Sequence, residues 1–316
     1  MAVKEDFVAR VLKGDRVAVA RAISIIENEH ADASSLLKNL FHRTGKAYRI
    51  GITGPPGAGK STISNKAAKQ YRAKNLKVGI IAVDPTSPFT GGALLGDRVR
   101  MTDVELDSGV FIRSMASRGS LGGLSKKAKE AADVLDAAGF DIILMETVGV
   151  GQSELDIARA ADTTVVVLVP ESGDSIQAMK AGLMEIADFF VINKADRAGA
   201  DQAAMSIKTV LGLGKHSDGW VPDVIQTIAS QEKGIDKMIE MIALHRISLE
   251  SNGGLEAKRK DRLVERIRDI IAERLRVEFW TGEREKLLGL KVEQIIKKGA
   301  TPYDAAEELL KNFNAQ

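Results

Sequence analysis

The run Gly54-Pro55-Pro56-Gly57-Ala58-Gly59-Lys60-Ser61-Thr62 decides how this chain folds. It fits the pattern GxxxxGK(S/T), in which a glycine-rich backbone surrounds phosphate groups. An apolar run, Tyr48 to Ile52, precedes it, and a helix-forming run, Thr62 to Lys69, follows it. This order predicts a strand, a phosphate-binding loop and a helix, which is the context that gives the pattern its meaning. The alternative is an ordinary glycine-rich turn with an incidental lysine.

Each residue type in this loop has a chemical use. Glycines leave room for backbone N–H groups to close around phosphate oxygens, and the following helix directs the positive end of its dipole at them. Lys60 would reach the β- and γ-phosphates, and the Ser61 hydroxyl would bind Mg²⁺. The residues predicted to contact nucleotide phosphates are Gly54, Pro55, Pro56, Gly57, Ala58, Gly59, Lys60, Ser61 and Thr62.

Composition limits the classes of function. The chain has 316 residues, of which 44% are apolar and 28% charged, enough for a buried core and an ordinary surface. Its 45 basic and 43 acidic residues give a net charge of +2, so neither a nucleic acid nor an anionic membrane is expected as a partner. The absence of cysteine excludes disulfides and thiolate metal sites. No targeting segment or membrane-length apolar run stands out, so we expect a cytoplasmic protein.

Apolar segments of strand length alternate with helical patterns through the middle of the chain. The expected strands are residues 47–53, 78–83, 110–113, 141–145, 163–169, 189–193 and 224–228. The expected helices between them are residues 60–74, 124–138, 174–184, 199–211 and 234–249. Several strands are apolar throughout, as in Val165 to Val169, which is typical of parallel strands buried on both faces. The pattern predicts a doubly wound α/β fold with a mainly parallel sheet.

Helical segments flank this α/β region. Before it, apolar residues recur at three- and four-residue steps, and after it they do so in a long charged helix. We therefore expect an N-terminal helical extension at 1–45, a phosphate-loop domain at 46–250 and a C-terminal helical arm at 251–316. The long helix of the arm carries more apolar surface than it can bury alone, which favours a homodimer.

A second motif indicates which base is bound. Asn193-Lys194-Ala195-Asp196 follows the apolar run Phe189 to Ile192. A carboxylate at Asp196 can accept both the N1 and N2 hydrogens of guanine, a paired contact that adenine cannot match. Asn193 and Lys194 would hold the base and brace the phosphate loop. A polar turn after a strand is the alternative, but the position downstream of a phosphate loop favours guanine.

A third motif, Glu146-Thr147-Val148-Gly149, follows the apolar run Ile142 to Met145. The N–H of Gly149 can face the γ-phosphate, and Glu146 can reach Mg²⁺ through water or orient the attacking water. A charged residue that merely ends a strand is the alternative. Further upstream, Asp84 and Asp97 are candidate outer ligands of Mg²⁺, while Asp-Pro is also an ordinary way to open a loop.

Together these motifs resemble one family. The segments GPPGAGKST (54–62), VDPTSPFTGGALLGDRVRM (83–101), ETVGVGQSE (146–154) and NKAD (193–196) are similar to those of the MeaB/MMAA family, and 83–101 is the most discriminating. Its members are GTPases of the SIMIBI class of P-loop NTPases, often labelled ArgK or LAO/AO transport ATPase. They serve as chaperones of adenosylcobalamin-dependent acyl-CoA mutases. The resemblance covers residues 45–250, and the C-terminal region resembles a dimerisation arm in position and helical character.

The resemblance implies roles for particular residues. The phosphate and Mg²⁺ shell would consist of Lys60, Ser61, Asp84, Asp97 and Glu146, and the guanine site of Asn193, Lys194 and Asp196. Residues 173–180 resemble an additional switch loop, in which Gln177 and Lys180 would reach the γ-phosphate and stabilise developing charge. Gln152 and Ser153 would lie in the loop after Gly149, where a nucleotide-sensitive switch is expected.

One segment departs from the pattern of many GTPases. Where these proteins have a Ser-Ala element after the next strand, this chain reads Thr227-Ile228-Ala229-Ser230. Only Ala229 fits, and its backbone N–H would donate to guanine O6.

The leading hypothesis is a GTP-binding protein that hydrolyses GTP to GDP and phosphate. It would couple its nucleotide state to cofactor loading or protection in a mutase of the methylmalonyl-CoA mutase type. Its catalytic residues would be Lys60, Glu146, Gln177 and Lys180, with Mg²⁺ bound. A metallochaperone for nickel enzymes is one alternative, but those proteins rely on Cys- and His-rich sites, and this chain has no cysteine and four scattered histidines. A P-loop kinase is the other, and the guanine motif argues against it.

Overall fold

The structure is a computed structural model that describes residues 5–84, 103–116, 126–147, 153–170, 182–213, 219–297 and 299–314. The chain divides into two compact units, residues 1–258 and residues 259–316. The first unit holds the α/β region together with the N-terminal helices. Within the described residues, none of the helices combines the length and the apolar character that crossing a membrane requires.

Seven parallel strands form one sheet in the first unit. They are β1 (Tyr48–Thr53), β2 (Val78–Asp84), β3 (Val110–Ala116), β4 (Ile142–Glu146), β5 (Thr163–Leu168), β6 (Phe189–Ile192) and β7 (Val224–Gln226). Their order is β3-β2-β4-β1-β5-β6-β7, and every neighbouring pair is parallel. The doubly wound α/β fold predicted from the alternating pattern is thus confirmed, and the sheet is parallel throughout the described residues.

Twelve α-helices are described. They are α1 (Glu5–Leu12), α2 (Arg16–Glu27), α3 (Ala33–Phe41), α4 (Lys60–Ala73), α5 (Lys126–Ala137), α6 (Ser153–Ala160), α7 (Leu183–Ile186), α8 (Ala200–Leu213), α9 (Ile235–Ser251), α10 (Gly254–Phe279), α11 (Gly282–Ile296) and α12 (Pro302–Asn314). Most of the helix expected at 174–184 lies outside the described residues, and α7 includes its last two positions.

Both faces of the sheet are covered, which explains why its strands are apolar throughout. In β4, Ile143 and Met145 pack with α5 and the N-terminal helices, whereas Ile142 and Leu144 pack with α4 and α9. Successive side chains of a strand point to opposite faces, so a strand buried on both sides has no polar positions to alternate with. A third cluster joins β5 and β6 to α7 and α8.

Helix α6 was not among the expected helices, and a glycine shows why it fits so closely on the sheet. A Cβ atom at Gly51 in β1 would lie 2.8 Å from Ile157 Cγ1, because the side chain of Ile157 occupies that space. Only glycine on the strand allows this helix to approach so near. Helix α6 has eight residues, too few for a clear helical period in the sequence.

The chain between α3 and β1 is fastened to α5 by a buried carboxylate. Asp136 accepts hydrogen bonds from the backbone N–H groups of Gly45, Lys46 and Ala47, at 2.8, 3.1 and 3.0 Å. Beside it, Arg49 of β1 pairs with Asp133 at 2.7 Å. A buried charge is stable only when it is paired or hydrogen-bonded, and these contacts provide both. The contacts set the point where the chain enters β1.

The second unit consists of residues 259–279 of α10 with α11 and α12. Inside it, the Arg284 guanidinium lies over the rings of Phe279 and Phe313, and Lys291 pairs with Glu308 at 2.6 Å. Helix α10 has no buried residue. Its exposed apolar side chains recur at helical spacing and include Leu263, Ile267, Ile270, Ile271 and Leu275. The helical character predicted for the C-terminal region is therefore present.

A buried histidine lies at the amino ends of β1 and β5. The Nε2 atom of His245 lies 3.3 Å from Asp188 Oδ1, and its Nδ1 atom lies 2.8 Å from Thr163 Oγ1. If Nε2–H donates to the carboxylate, Nδ1 must accept from the Thr163 hydroxyl, which in turn accepts from Tyr48 O–H at 2.6 Å. The neutral imidazole thus satisfies the whole chain of hydrogen bonds.

Burial lowers the pKa of His245 below its ordinary value of 6.5, and the nearby Asp188 carboxylate only partly opposes this. Desolvation outweighs the ion pair because the His245 side chain is 2% exposed. Lys258, whose Nζ is 3.2 Å from Asp188 Oδ1, adds a like charge that lowers the pKa further. The histidine is therefore neutral in the folded chain at neutral pH.

We expect acid to destabilise the first unit through His245. Between an unfolded-state pKa of 6.5 and the lower folded-state pKa, the unfolded chain binds more protons, so the free energy of unfolding falls as the pH decreases. Denaturant unfolding should show a lower free energy of unfolding at about pH 5.5 than at about pH 7.5, and His245→Gln should reduce this difference. His30→Gln, at an exposed position, is the control. An unchanged pH dependence in His245→Gln would contradict this assignment.

Candidate functional site

The phosphate loop joins β1 to α4 and begins at a position where only glycine fits. Gly54 has a φ of 133°, and a Cβ atom there would lie 2.0 Å from the Val167 carbonyl oxygen of β5. Such a contact is impossible for any side chain, so the absence of a Cβ lets the loop start directly against the neighbouring strand. The loop is thereby placed at the carboxyl edge of the sheet, where ligands of doubly wound folds bind.

The last loop glycine, Gly59, precedes the first turn of α4. Its φ is 91°, and a Cβ atom would lie 2.3 Å from Asn193 Nδ2. Glycine here supplies the left-handed conformation and also the space that the Asn193 side chain occupies. Gly59 brings no side chain to cap the helix. The amino end of α4 therefore faces the loop with its backbone N–H groups and the positive end of its dipole, which is suited to an anion.

The ammonium group of Lys60 folds back over the loop. Its Nζ donates to the carbonyl oxygens of Gly54 at 2.8 Å and Pro55 at 3.0 Å. The residue is only 6% exposed, so the charge lies within the protein rather than in bulk water. A buried cation at the centre of a phosphate loop strengthens the attraction for an anionic ligand because the surroundings screen it weakly.

A buried carboxylate and two hydroxyl groups meet beside the loop. Ser61 Oγ donates to Glu146 Oε1 at 2.6 Å, and Ser64 Oγ donates to Glu146 Oε2 at 3.0 Å. Glu146 ends β4 and is 5% exposed. The structure thus brings together Ser61 and Glu146, which the sequence analysis assigned to the same metal shell.

The oxygen donors at this place fit Mg²⁺. Hydroxyl and carboxylate oxygens are the ligands that this hard cation prefers. In the parallel register Ala82 of β2 pairs with Glu146, so Asp84, two residues further along β2, also lies at the carboxyl edge. Ser61 and Glu146 are therefore the described side chains suited to holding such an ion, and the backbone of Asp84 lies at the same edge. The described residues contain no group of three or more His, Cys, Asp or Glu side chains arranged as a metal site of their own.

Two threonines fix the chain directly after Glu146. Thr53 Oγ1 and Thr147 Oγ1 lie 2.8 Å apart, and the N–H of Thr147 donates to the Ile52 carbonyl at 3.2 Å. These contacts continue the β1–β4 pairing past the end of β4 and hold Glu146 next to the loop. Neither threonine was predicted as a site residue, and Ser64 was not either. In the sequence each is only a short polar side chain within or near a motif.

The carboxamide of Asn193 connects three segments at the predicted base site. Its Nδ2 donates to the Ala58 carbonyl of the phosphate loop at 2.8 Å. Its Oδ1 accepts from Thr227 Oγ1 at 3.0 Å and from the backbone N–H of Ala229 at 3.1 Å. The bracing of the phosphate loop expected of Asn193 is present. The N–H of Ala229 donates to this side chain, and its contact with guanine O6 stays a prediction.

The two other residues of the guanine motif follow directly. Lys194 has a φ of 57°, an uncommon conformation for a residue with a side chain. The N–H of Ala195 donates to the Thr227 carbonyl at 3.0 Å, which holds this turn beside the segment of Ala229. Asp196 comes next and is exposed, so its carboxylate is accessible to a ligand.

Several predicted site residues lie outside the described residues. They are Asp97, Gly149, Gln152, Gln177 and Lys180, and of Asp84 only the backbone is described. Ser153, expected in a loop, is the first residue of α6. The described part of the site is formed by the carboxyl ends of β1, β4 and β6, together with the segment after β7.

Comparison with protein families gives a match over most of the chain. Residues 19–284 match the family described as methylmalonyl Co-A mutase-associated GTPase MeaB. The matched range contains the phosphate loop, Glu146, the guanine motif and the segment of Ala229.

Individual relatives extend this match to nearly the full length. A protein named as a GTPase in Pyrococcus abyssi is 49% identical, over 98% of this chain and 96% of its own. GTPase ArgK of Escherichia coli is 36% identical, over 90% and 91%. The mouse methylmalonic aciduria type A homolog, a mitochondrial protein, is 33% identical, over 97% and 78%. Among solved structures, one titled LAO/AO transport system kinase matches with a TM-score of 0.75 at 27% identity, over 99% of this chain and 100% of that one.

Substitution of Gly59 by alanine should weaken GDP binding by about tenfold or more, because the new methyl group displaces Asn193 and strains the loop. Equilibrium titration with a fluorescent GDP analogue measures the change. Gly199→Ala is the matched control, since Gly199 has a φ of 87° with no atom within 4 Å of an added Cβ. It should lower stability by about 1–3 kcal/mol and keep GDP affinity. Equal GDP affinity of Gly59→Ala and the unsubstituted chain would contradict the conclusion that the loop requires glycine at position 59.

Proposed function

Because this chain belongs to the MeaB family of methylmalonyl-CoA mutase-associated GTPases, we propose that it is a chaperone of an adenosylcobalamin-dependent acyl-CoA mutase. In this role its nucleotide state controls loading or protection of the mutase cofactor. The observation that carries the proposal is the family match over residues 19–284, supported by the relative named for methylmalonic aciduria. GTP hydrolysis is the activity of the family, and the mutase is its proposed partner.

The described residues support a mechanism based on positioning. Water attacks the γ-phosphorus in line, the bond from that phosphorus to the oxygen bridging the β- and γ-phosphates breaks, and GDP and phosphate are the products. Lys60 and the amino end of α4 neutralise charge on the phosphates. Glu146, held by the hydroxyl groups of Ser61 and Ser64, orients the water or binds the metal shell. Ser61 and Glu146 would hold Mg²⁺, which would supply positive charge to offset that of the phosphates.

Guanine recognition is assigned to Asn193, Lys194 and Asp196. The Asp196 carboxylate accepts the N1 and N2 hydrogens of the base, while Asn193 keeps the turn joined to the phosphate loop. The residues proposed to respond to the γ-phosphate, Gln177 and Lys180, complete the catalytic set. Gln152 and Ser153 are proposed to report the nucleotide state to the partner.

The C-terminal arm is proposed to pair with a second copy of this chain. The support is the row of exposed apolar side chains on α10, which includes Ile267, Ile271 and Leu275. A helix with an exposed apolar stripe of this length favours association with another helix.

The guanine assignment predicts a specificity change in Asp196→Asn. Affinity for GTP should fall by at least about a hundredfold, because an amide NH₂ cannot accept a hydrogen bond from the guanine amino group. Affinity for XTP should rise, since xanthine carries an oxygen where guanine carries that amino group. Competition titrations measure both constants. Asp236→Asn, an exposed position on α9, is the matched control, and retained GTP preference in Asp196→Asn would contradict the assignment.

The chaperone role predicts that a cognate acyl-CoA mutase accelerates GTP hydrolysis by at least about tenfold, because ordering of partner-sensitive segments completes the catalytic set. Phosphate release is measured with and without the mutase, and a cobalamin-independent acyl-CoA enzyme is the control. Equal turnover would contradict the role. Labelled phosphate recovered on an acceptor other than water would instead indicate a kinase.

Light scattering on the chain alone tests the proposed homodimer by its mass, and light scattering on the mixture with the mutase gives the mass of the complex.

A further inference from the structure

Lys66, on the second turn of α4, is shared by two carboxylates from distant parts of the chain. Its Nζ lies 2.6 Å from Asp103 Oδ2 and 3.1 Å from Glu232 Oε1. Asp103 precedes β3, whereas Glu232 lies beyond β7. The Lys66 side chain is only 16% exposed, so the contacts are partly protected from solvent. One cation therefore fastens two separate loops to the helix that begins at the phosphate loop.

Each carboxylate is also held by a neighbour on α4. Asp103 Oδ2 accepts from Asn65 Nδ2 at 3.0 Å, and Asn65 is 3% exposed. Glu232 Oε1 accepts from Lys69 Nζ at 2.7 Å, and that lysine side chain is 52% exposed. Lys69 touches only one of the two carboxylates. Lys66 is thus the residue in this cluster that bridges both loops.

The Glu232 contact leads directly to the base site. Glu232 follows the single-turn helix Ala229–Gln231, and its N–H donates to the Ala229 carbonyl at 3.2 Å. The N–H of Ala229 donates to Asn193 Oδ1 at 3.1 Å, and Asn193 holds Ala58 in the phosphate loop. A continuous series of polar contacts therefore links α4 through Glu232, Ala229 and Asn193 to the phosphate loop, which leads directly into α4.

Electrostatic attraction between the lysines and the carboxylates maintains these contacts at neutral pH. The hydrogen bond with Asp103 raises the pKa of Lys66, and the same contact lowers the pKa of Asp103. Lys69 first and then Lys66 lower the pKa of Glu232. Because of these shifts, Lys66, Asp103 and Glu232 are charged at neutral pH. Without Lys66, two carboxylates that shared one ammonium group would face each other with like charge, which drives their loops apart.

We propose that Lys66 is a positioning residue for nucleotide retention. It holds the turn at residues 229–232, which contacts Asn193, against α4 and thereby slows dissociation of bound guanine nucleotide. The inference rests on the proposed position of guanine at Asn193 to Asp196. Lys66 takes no part in bond breaking, since its contacts are with protein carboxylates. Its loss should raise the dissociation rate and leave turnover at saturating GTP nearly unchanged.

Release of a fluorescent GDP analogue, chased by excess GDP, tests this on the full chain. Lys66→Met should release the analogue about tenfold faster, the effect expected from losing two charge-assisted hydrogen bonds on a partly buried group. Lys69→Met is the matched control, because the Lys69 side chain is 52% exposed and an exposed ion pair contributes little, so it should change the rate less than about twofold. Lys66→Arg, which keeps both charge and reach, should release at close to the original rate.

Comparing GDP release in single and double variants distinguishes a positioning role of Lys66 from a general loss of protein stability. Asp103→Asn and Glu232→Gln should each accelerate release in the original chain and add little in a Lys66→Met background, because both carboxylates bind Lys66 and the remaining contact of Glu232, with Lys69, is exposed. Unchanged release in Lys66→Met overturns the proposal. So do fully additive effects, or a fall in turnover at saturating GTP that parallels the change in release. Should Lys66→Met fail to fold, Asp103→Asn, Glu232→Gln and Lys66→Arg give the same decision.

Failure of this inference is distinguishable from failure of the proposed function. If the unsubstituted chain retains GDP no better than ADP, the guanine assignment itself is wrong. If it prefers GDP and Lys66→Met releases GDP at the original rate, only the role of Lys66 is wrong. Stimulation of hydrolysis by a mutase is measured separately and bears on neither result.

Discussion

The carboxamide of Asn193 is the interaction on which the nucleotide site depends. One side chain donates to the phosphate loop at Ala58 and accepts from Thr227 and Ala229, so the segments after β1, β6 and β7 are joined at a single residue. The space it needs exists because Gly59 has no Cβ. A carboxamide has both a donor and an acceptor, which is why an aspartate or a leucine of similar size cannot replace it.

The parallel sheet makes that junction possible. Strands buried on both faces are rigidly packed, and their carboxyl ends lie along one edge, where short loops bring distant residues together. Glu146 at the end of β4 meets Ser61 and Ser64 of α4 in this way. Polar contacts that would be weak in water are preserved here because the residues concerned are buried. The proposed chemistry of positioning and charge neutralisation follows from this arrangement.

Prediction from the sequence succeeded where a local pattern carries its own physical meaning. The seven strands were recognised because apolar runs of that length and spacing have few alternatives, and two motifs assigned Ser61 and Glu146 to one candidate metal shell. Helix α6 was missed because its eight residues give little periodicity. Its close packing on the sheet requires glycine at position 51 of β1, which is distant in the sequence. Ser64, Thr147 and Thr227 were missed because a short polar side chain becomes informative only when its partner is known.

The sequence by itself determined the α/β class and the phosphate loop, and it indicated candidate residues for guanine and magnesium, because each depends on the chemistry and spacing of neighbouring residues. The tertiary structure decided which distant groups meet. That Lys66 lies between Asp103 and Glu232, and that His245 is buried against Thr163 and Asp188, depends on contacts between residues far apart in the chain. Such contacts leave no periodic signal, since their partners are set by the packing of whole elements rather than by local spacing.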